Sequence, residues 1–484
     1  MDAALQREAS GMTRLPGTLW RQGLRLAPAM LLGFALAVPA QSSPPEPRTP
    51  PWRVDPFAST YTPLPRTDFI ITHATILDGA GKRIDDGEVL VRGGRIVAVG
   101  RNLPDRTGAR MIDAHGRWVT PGVIDVHSHN GTYVVPLTDI DRDSSDVSDG
   151  EQPNVADTWV ETAINVQDTG FSRALEGGVT TLQVLPGSSP IFSGRAVVLK
   201  PITATTVSAM KFPGAPQGFK MACGENPKQR DAEAKNGPTS RQGEVAFIRN
   251  AFVAAQKYRD AWDRYASGAA AAPPERDLKV EALAGILAGD IHVNMHCYRS
   301  DDMATMLAVA REFGFHLNAF HHAGEAYKIP GLIRAADMCV AVFGDWWGWK
   351  MEALDDVRAN APLLDHAGVC VTMHSDSPQT GQRLNIEAAK AGGAGRALGI
   401  DTPPERMIRW ITSNPARMLG LSDRIGTLAA GYDADLVLWS GDPFSIYTKA
   451  DLVVIDGAVA FDRASPPAHS LSDFELGRTG SPRP

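Results

Sequence analysis

Short apolar runs separated by glycine, proline and polar turns make up most of this chain, and their spacing changes twice. In residues 66–121 the runs fall at 69–72, 75–77, 88–92, 95–99 and 118–120, with Gly79, Gly81, Gly87, Gly93 and Gly94 between them. Brief runs cut by glycine are the pattern of an antiparallel β unit. A similar set at 426–428, 434–439 and 452–455 lies in residues 421–464. The two sets are expected to pair into one small composite β-sandwich domain, which brings the ends of the chain close together. The intervening residues, 122–420, carry eight apolar runs: 123–126, 179–184, 196–199, 219–223, 291–295, 315–320, 338–343 and 369–373. Helical periodicity lies between several of them, at 244–265, 278–287, 302–313 and 351–366. Strands alternating with helices predict an α/β fold of the (β/α)8 TIM-barrel kind. A doubly wound sheet is the alternative, but no glycine-rich phosphate loop follows the first run.

The flanks read differently. Arg14, Arg21 and Arg25 precede an apolar run at 26–37, and small residues occupy positions 38 and 40. That is the layout of a secretory signal peptide over residues 1–40, cleaved after Ala40. The competing reading, a membrane anchor, wants about 20 apolar residues. A periplasmic or secreted protein with no membrane span after cleavage is therefore expected. Residues 41–65 are rich in proline and read as a linker or arm, and 465–484 as a disordered tail. None of the four cysteines forms a CxxC pair. Buried free thiols are the expectation, and the sequence names no disulfide. Hydrophobic residues at 43% are ample for a large core, and a net charge of −7 gives no basic excess for a nucleic-acid partner. A small molecule or short peptide remains as the substrate class.

Barrel chemistry sits at the C-terminal ends of the strands. The first run ends in Asp125-Val126-His127-Ser128-His129, whose two imidazoles, two residues apart, face one side of a strand. The fourth is followed by Glu225, the fifth by His296, the sixth by His321 and His322, and the eighth by His374-Ser375-Asp376. Each alone is weak, since a histidine after an apolar run is more often a buried structural residue. Their recurrence at strand ends points them into one mouth, with the imidazole and carboxylate donors that hold Zn²⁺ and similar ions. Tyr298 and Arg299 follow the fifth run, and Trp346 and Trp347 the seventh. These four are candidate substrate contacts, the guanidinium as a fork for a carboxylate. Packing and a salt bridge to Asp301 or Asp302 are the ordinary alternatives.

This order resembles the amidohydrolase superfamily. The stretch 120–129 (TPGVIDVHSH) is similar to that family's opening signature, and 426–437 to its C-terminal β signature. Within the superfamily the chain looks closest to imidazolonepropionase-like and dipeptidase-like members. The resemblance implies one or two divalent ions per chain, Zn²⁺ foremost. His127, His129 and Asp376 would hold the first and His296 and His322 the second. Glu225, or a carboxylated Lys220 on the same strand, would bridge them. His321 competes with His322. Asp376 would move protons as the catalytic acid/base, and His374 would polarise the scissile carbonyl or orient a ligand. The implied activity is hydrolysis of an amide, peptide or cyclic-amide C–N bond. A deaminase or lactonase at the same site, or a non-catalytic binding protein, are the alternatives. Such barrels often pair, so a homo-oligomer is compatible with this reading.

The signal-peptide expectation has a direct check. N-terminal sequencing of the exported protein is expected to begin at Gln41; a start at Met1 in a membrane fraction would favour the anchor.

Overall fold

The computed structural model describes residues 48–133, 135, 144–346 and 348–465. The signal segment, Trp347 and residues 466–484 of the expected tail lie outside the described residues. No described helix is long and apolar enough to cross a membrane.

The composite sheet takes strands from both ends of the chain. Its members are β1 (Phe69–Leu77), β2 (Arg83–Arg92), β3 (Arg95–Gly100), β4 (Arg110–Asp113), β5 (Trp118–Pro121), β14 (Leu436–Trp439), β15 (Ala450–Ile455) and β16 (Ala458–Asp462). The two halves join where β5 pairs antiparallel with β14. At the far side, Ile96 and Gly94 exchange backbone bonds with Gly431, Tyr432 and Ala434, so the sheet folds over one shared apolar core. The two expected runs 69–72 and 75–77 form a single strand, with a register shift around His73, whose φ is +51°. Residues 426–428 form no strand; Gly426 sits at φ +85°, and its loop packs on Thr412 and Ala416.

The second sheet is the barrel. It comprises β6 (Val123–Ser128), β7 (Val179–Val184), β8 (Phe192–Leu199), β9 (Gln217–Ala222), β10 (Ile291–Cys297), β11 (Leu317–His322), β12 (Cys339–Val342) and β13 (Cys370–Met373). All eight expected runs are present, and β6, β7, β12 and β13 are buried along their whole length, as strands covered on both faces must be. One departure concerns direction: β8 runs antiparallel to both β7 and β9. Only residues 185–191 join β7 to β8, and a parallel return needs a crossover of a dozen or more. A second departure is the expected helix at 351–366. It divides into a short turn, Met351–Ala353, and the helix Asn360–His366, whose Pro362 lies in the first turn where its missing N–H costs nothing.

No ladder joins β6 to β13. The seam is closed instead by side chain and backbone. The Asp376 N–H donates to His127 O at 2.9 Å. The Ser375 hydroxyl donates to Asp125 Oδ2 at 2.5 Å, and Asp125 Oδ1 also accepts the N–H groups of His127 and Ser375. Gly122 links β5 to β6; a Cβ there would lie 2.0 Å from Thr180 Oγ1, so only glycine permits the approach. The described part of the proline-rich segment is an arm rather than a free linker. Trp52 is buried with its indole N–H on Asp290, Thr60 binds Ser208 O, and the Tyr61 hydroxyl donates to Asp456.

The cysteine expectation is corrected. Cys223 is bonded to Cys297, and Cys339 to Cys370, leaving no free thiol. Cys339 and Cys370 face each other in register on β12 and β13; Cys223 and Cys297 end neighbouring strands. The partners are 31 and 74 residues apart in sequence, so only the folded barrel makes them neighbours. Loop closures of these lengths correspond to about 4 kcal/mol each in the chain-entropy account. Reduction, or Cys339→Ser with Cys370→Ser, is expected to lower the melting temperature in a calorimetric scan; an unchanged melting temperature would mean that the bond does not form.

Candidate metal centre

Strand geometry gathers the histidines. His127 ends β6 and His129 follows it on the same side. His296 lies on β10, His321 and His322 end β11, and His374 and Asp376 follow β13. His322 and Asp376 have φ of +67° and +53°. Left-handed backbone at non-glycine residues costs energy and is retained where surrounding structure imposes it, often at functional sites. Here it lets two successive residues, His321 and His322, both turn inward.

The described residues form two groups with ligand atoms within 4.8 Å of one another: His127, His129 and Asp376, and His127, His322 and His374. In the first, His129 Nε2 is 3.0 Å and His127 Nε2 3.2 Å from Asp376 Oδ1, and the two nitrogens are 3.3 Å apart. The protons can be followed. His129 Nδ1 lies 2.8 Å from Leu185 O, which can only accept, so the proton is on Nδ1 and Nε2 is bare. Asn294 Oδ1 accepts from His321 Nε2 at 3.0 Å; His321 Nδ1 then accepts from His127 Nδ1 at 3.1 Å, and His127 Nε2 is bare as well. Three acceptors therefore face one another, with the Lys220 ammonium 3.2 Å from His127 Nε2 at their edge. Such a donor set would suit a divalent ion.

Electrostatics keep these groups in ligand form. Burial, then the neighbouring Lys220, pushes His127 well below the ordinary imidazole range. Burial does the same to His296 and His322, and brings His374 down to about 3. Neutral imidazoles are what a metal needs. Burial alone would raise the Asp376 carboxyl, but the His129 contact and the other imidazoles hold it well below the carboxylate range. Both ring nitrogens of His296 and His374, and Nδ1 of His322, are buried without a hydrogen-bond partner. Such orphaned nitrogens fit a divalent ion.

The remaining candidates are placed unevenly. His296 lies beside His322, ring centroids 4.4 Å apart, but falls outside both groups; His374, expected to polarise the carbonyl or orient a ligand, falls in the second group instead. The structure does not bring Glu225 to the cluster. Its carboxylate accepts from Gln229 and from the Glu352 N–H. The cause is Gly224 (φ +84°), which turns the chain away from the line of β9 against the Glu352 carboxylate. Lys220, one strand turn earlier, is fully buried with Nζ 3.2 Å from His127 Nε2, and burial lowers its pKa to about 7. His321 stands behind His127 as its hydrogen-bond partner. Tyr298 is buried and stacked on His322, centroids 5.1 Å apart, and Trp346 is stacked on Phe343 at 4.6 Å. The Arg299 guanidinium is engaged by Asp301 at 2.6 and 2.9 Å, so its expected substrate role gives way to the salt bridge. Sequence reasoning missed Asn294, although its place two residues before His296 puts it on the same face of β10.

Residues 269–466 match the amidohydrolase family. A solved amidohydrolase from Thermotoga maritima is 32% identical, with a TM-score of 0.75, covering 82% of this chain and all of that one. An amidohydrolase of Hapsidospora irregularis, tasK, is 32% identical over 402 residues, 78% of this chain; the match spans 40% of that longer protein. An imidazolonepropionase of Cupriavidus taiwanensis is 24% identical over 78% of this chain and 90% of its own length. The chain belongs to the amidohydrolase superfamily. It is a hydrolase with a TIM-type barrel, a β-rich domain and a histidine cluster able to hold a divalent metal.

Elemental analysis of metal-loaded protein separates the two bridge candidates. Glu225→Gln is expected to keep the wild-type metal content, whereas Lys220→Met and Asp376→Asn are expected to lose at least one ion per chain; loss on Glu225→Gln alone would restore the glutamate as a ligand.

Proposed function

We propose that this protein is an exported metal-dependent amidohydrolase that cleaves an amide or peptide C–N bond in a small substrate. The observation that carries this reading is the convergence of two bare imidazole nitrogens and the Asp376 carboxylate on one point at the barrel mouth. An ion held there makes water acidic enough to attack at neutral pH. Asp376, 22% exposed and anionic, accepts the proton of the attacking water at Oδ1 or Oδ2 and returns it to the departing nitrogen. Leu185 O and the Asn294–His321 pair fix the tautomers of His129 and His127, so the ligands need not reorganise during turnover. A carboxylated Lys220 would take the bridging role. His374, held face to face with His127 at 4.9 Å, joins His322 in the second ligand group. The imidazole-rich, single-carboxylate set favours Zn²⁺. Tyr298 and Trp346 wall the substrate side.

Export is supported by the pairing of all four cysteines, since disulfides persist in oxidising compartments. The names of the relatives, an amidohydrolase and an imidazolonepropionase, are compatible with C–N cleavage.

The zinc-loaded protein is expected to release a free amino acid from a panel of dipeptides and N-acyl amino acids, read by amine-specific chromatography. Asp376→Asn is expected to lower kcat by about a hundredfold to ten-thousandfold with little change in KM. Ammonia as the product would shift the reading to a deaminase. No turnover by a protein with full metal content would favour a binding protein.

A further inference from the structure

Next to the second ligand group, a narrow cavity is lined by His322 itself and by Phe343, Trp346, Asp356, Arg358 and Asn360. Two acceptor oxygens on its wall have no donor: Asp356 Oδ1 and Asn360 Oδ1, both shut off from solvent. The Asn360 amide cannot turn round to supply one. Its Nδ2 is committed to Ala323 O at 2.9 Å and Gly324 O at 3.2 Å, which leaves Oδ1 as its free atom, and the residue is 4% exposed.

The two lysines near Asp356 are already engaged. Lys328 is bonded to Asp355 at 2.7 Å and to Glu325 at 3.1 Å. Lys350 is bonded to Asn226 and lies over the Tyr298 ring at 4.0 Å. Arg358, an exposed residue, also lines the cavity. Burial, with Glu325 and Asp355 beside it, raises the Asp356 carboxyl to about 8 against the lowering pull of Lys350 and Lys328. The stacked rings of Phe343 and Trp346 form one side. The space left is about 10 Å³, room for a single water-sized group. A primary ammonium head has that size; a guanidinium does not fit.

We propose that this cavity is a subsite for a primary ammonium group of the substrate, received by Asp356 Oδ1 and Asn360 Oδ1. Resting on the amide-hydrolase reading above, it makes the substrate class peptides with a free α-amine or a lysine side chain close to the cleaved bond. Asp356 and Asn360 then determine specificity without taking part in the chemistry.

Binding separates this proposal from turnover. Zinc-loaded full-length protein is titrated calorimetrically with L-norleucinol, which carries an α-type amine, with ω-aminohexanol, which carries a chain-end amine, and with hexanol, which has neither. None contains an amide. One of the two amines is expected to bind at least about tenfold more tightly than hexanol, since charge-assisted hydrogen bonds are the strong ones. The tighter amine identifies the source of the ammonium. Asp356→Asn is expected to erase the difference while zinc content and melting temperature hold; Asn360→Ala, which keeps the charge, is expected to narrow it. Equal binding of all three probes by the wild type, or a difference that survives in a folded Asp356→Asn protein, overturns the subsite. Absence of amide hydrolysis would count against the hydrolase reading alone, because these titrations involve no turnover.

Discussion

Three atoms able only to accept, His127 Nε2, His129 Nε2 and Asp376 Oδ1, stand 3.0 to 3.3 Å apart in a buried mouth. Burial strips them of water, and the fold sets the Lys220 ammonium beside them, 3.2 Å from His127 Nε2. The cluster is able to hold a divalent metal. Its tautomers are set from behind, by Leu185 O on one ring and by His321 and Asn294 on the other. Its backbone is bent from behind as well: His322 and Asp376 take left-handed φ where the strands end. The first device lies outside the set of candidate ligands and the second in the ligands His322 and Asp376 themselves; both are polar or strained features that a barrel core would otherwise exclude.

Much of the fold was legible because barrel strands covered on both faces must be apolar throughout. All eight runs were visible for that reason. Direction was not, since a run reads the same whichever way it travels; the shortness of residues 185–191 was the available hint that β8 turns back. Residues 351–366 carried helical spacing over a segment that divides, and Met351 and Leu354, which open that spacing, are exposed. The disulfides joined residues 31 and 74 positions apart, a proximity that only the closed barrel creates.

The site was legible wherever a polar residue ended an apolar run, which covers His127, His129, His296, His322, His374 and Asp376. It was not legible at the bridge. Glu225 had the better chemistry and the better position on paper, but one glycine, Gly224, redirects everything after it. Lys220 carried its own signal: a lone cation in the middle of a continuous apolar strand has to be paying its desolvation for a reason. The Asp356 and Asn360 pair left no trace in the sequence, because an orphaned acceptor is a property of three-dimensional surroundings.

The pairing of β5 with β14 has a consequence for the order in which the molecule is made. Only Gly122 separates β5 from β6, the strand that ends in His127, so the first ligand strand is tethered to a partner more than three hundred residues downstream. Asp376 N and Ser375 must also reach back to β6 to close the seam. A chain emerging from the ribosome therefore cannot complete its mouth until nearly all of it has been synthesised, since the non-local contacts must wait for their partners. Late assembly leaves the candidate ligands of the two sides of the seam apart until the chain is nearly complete.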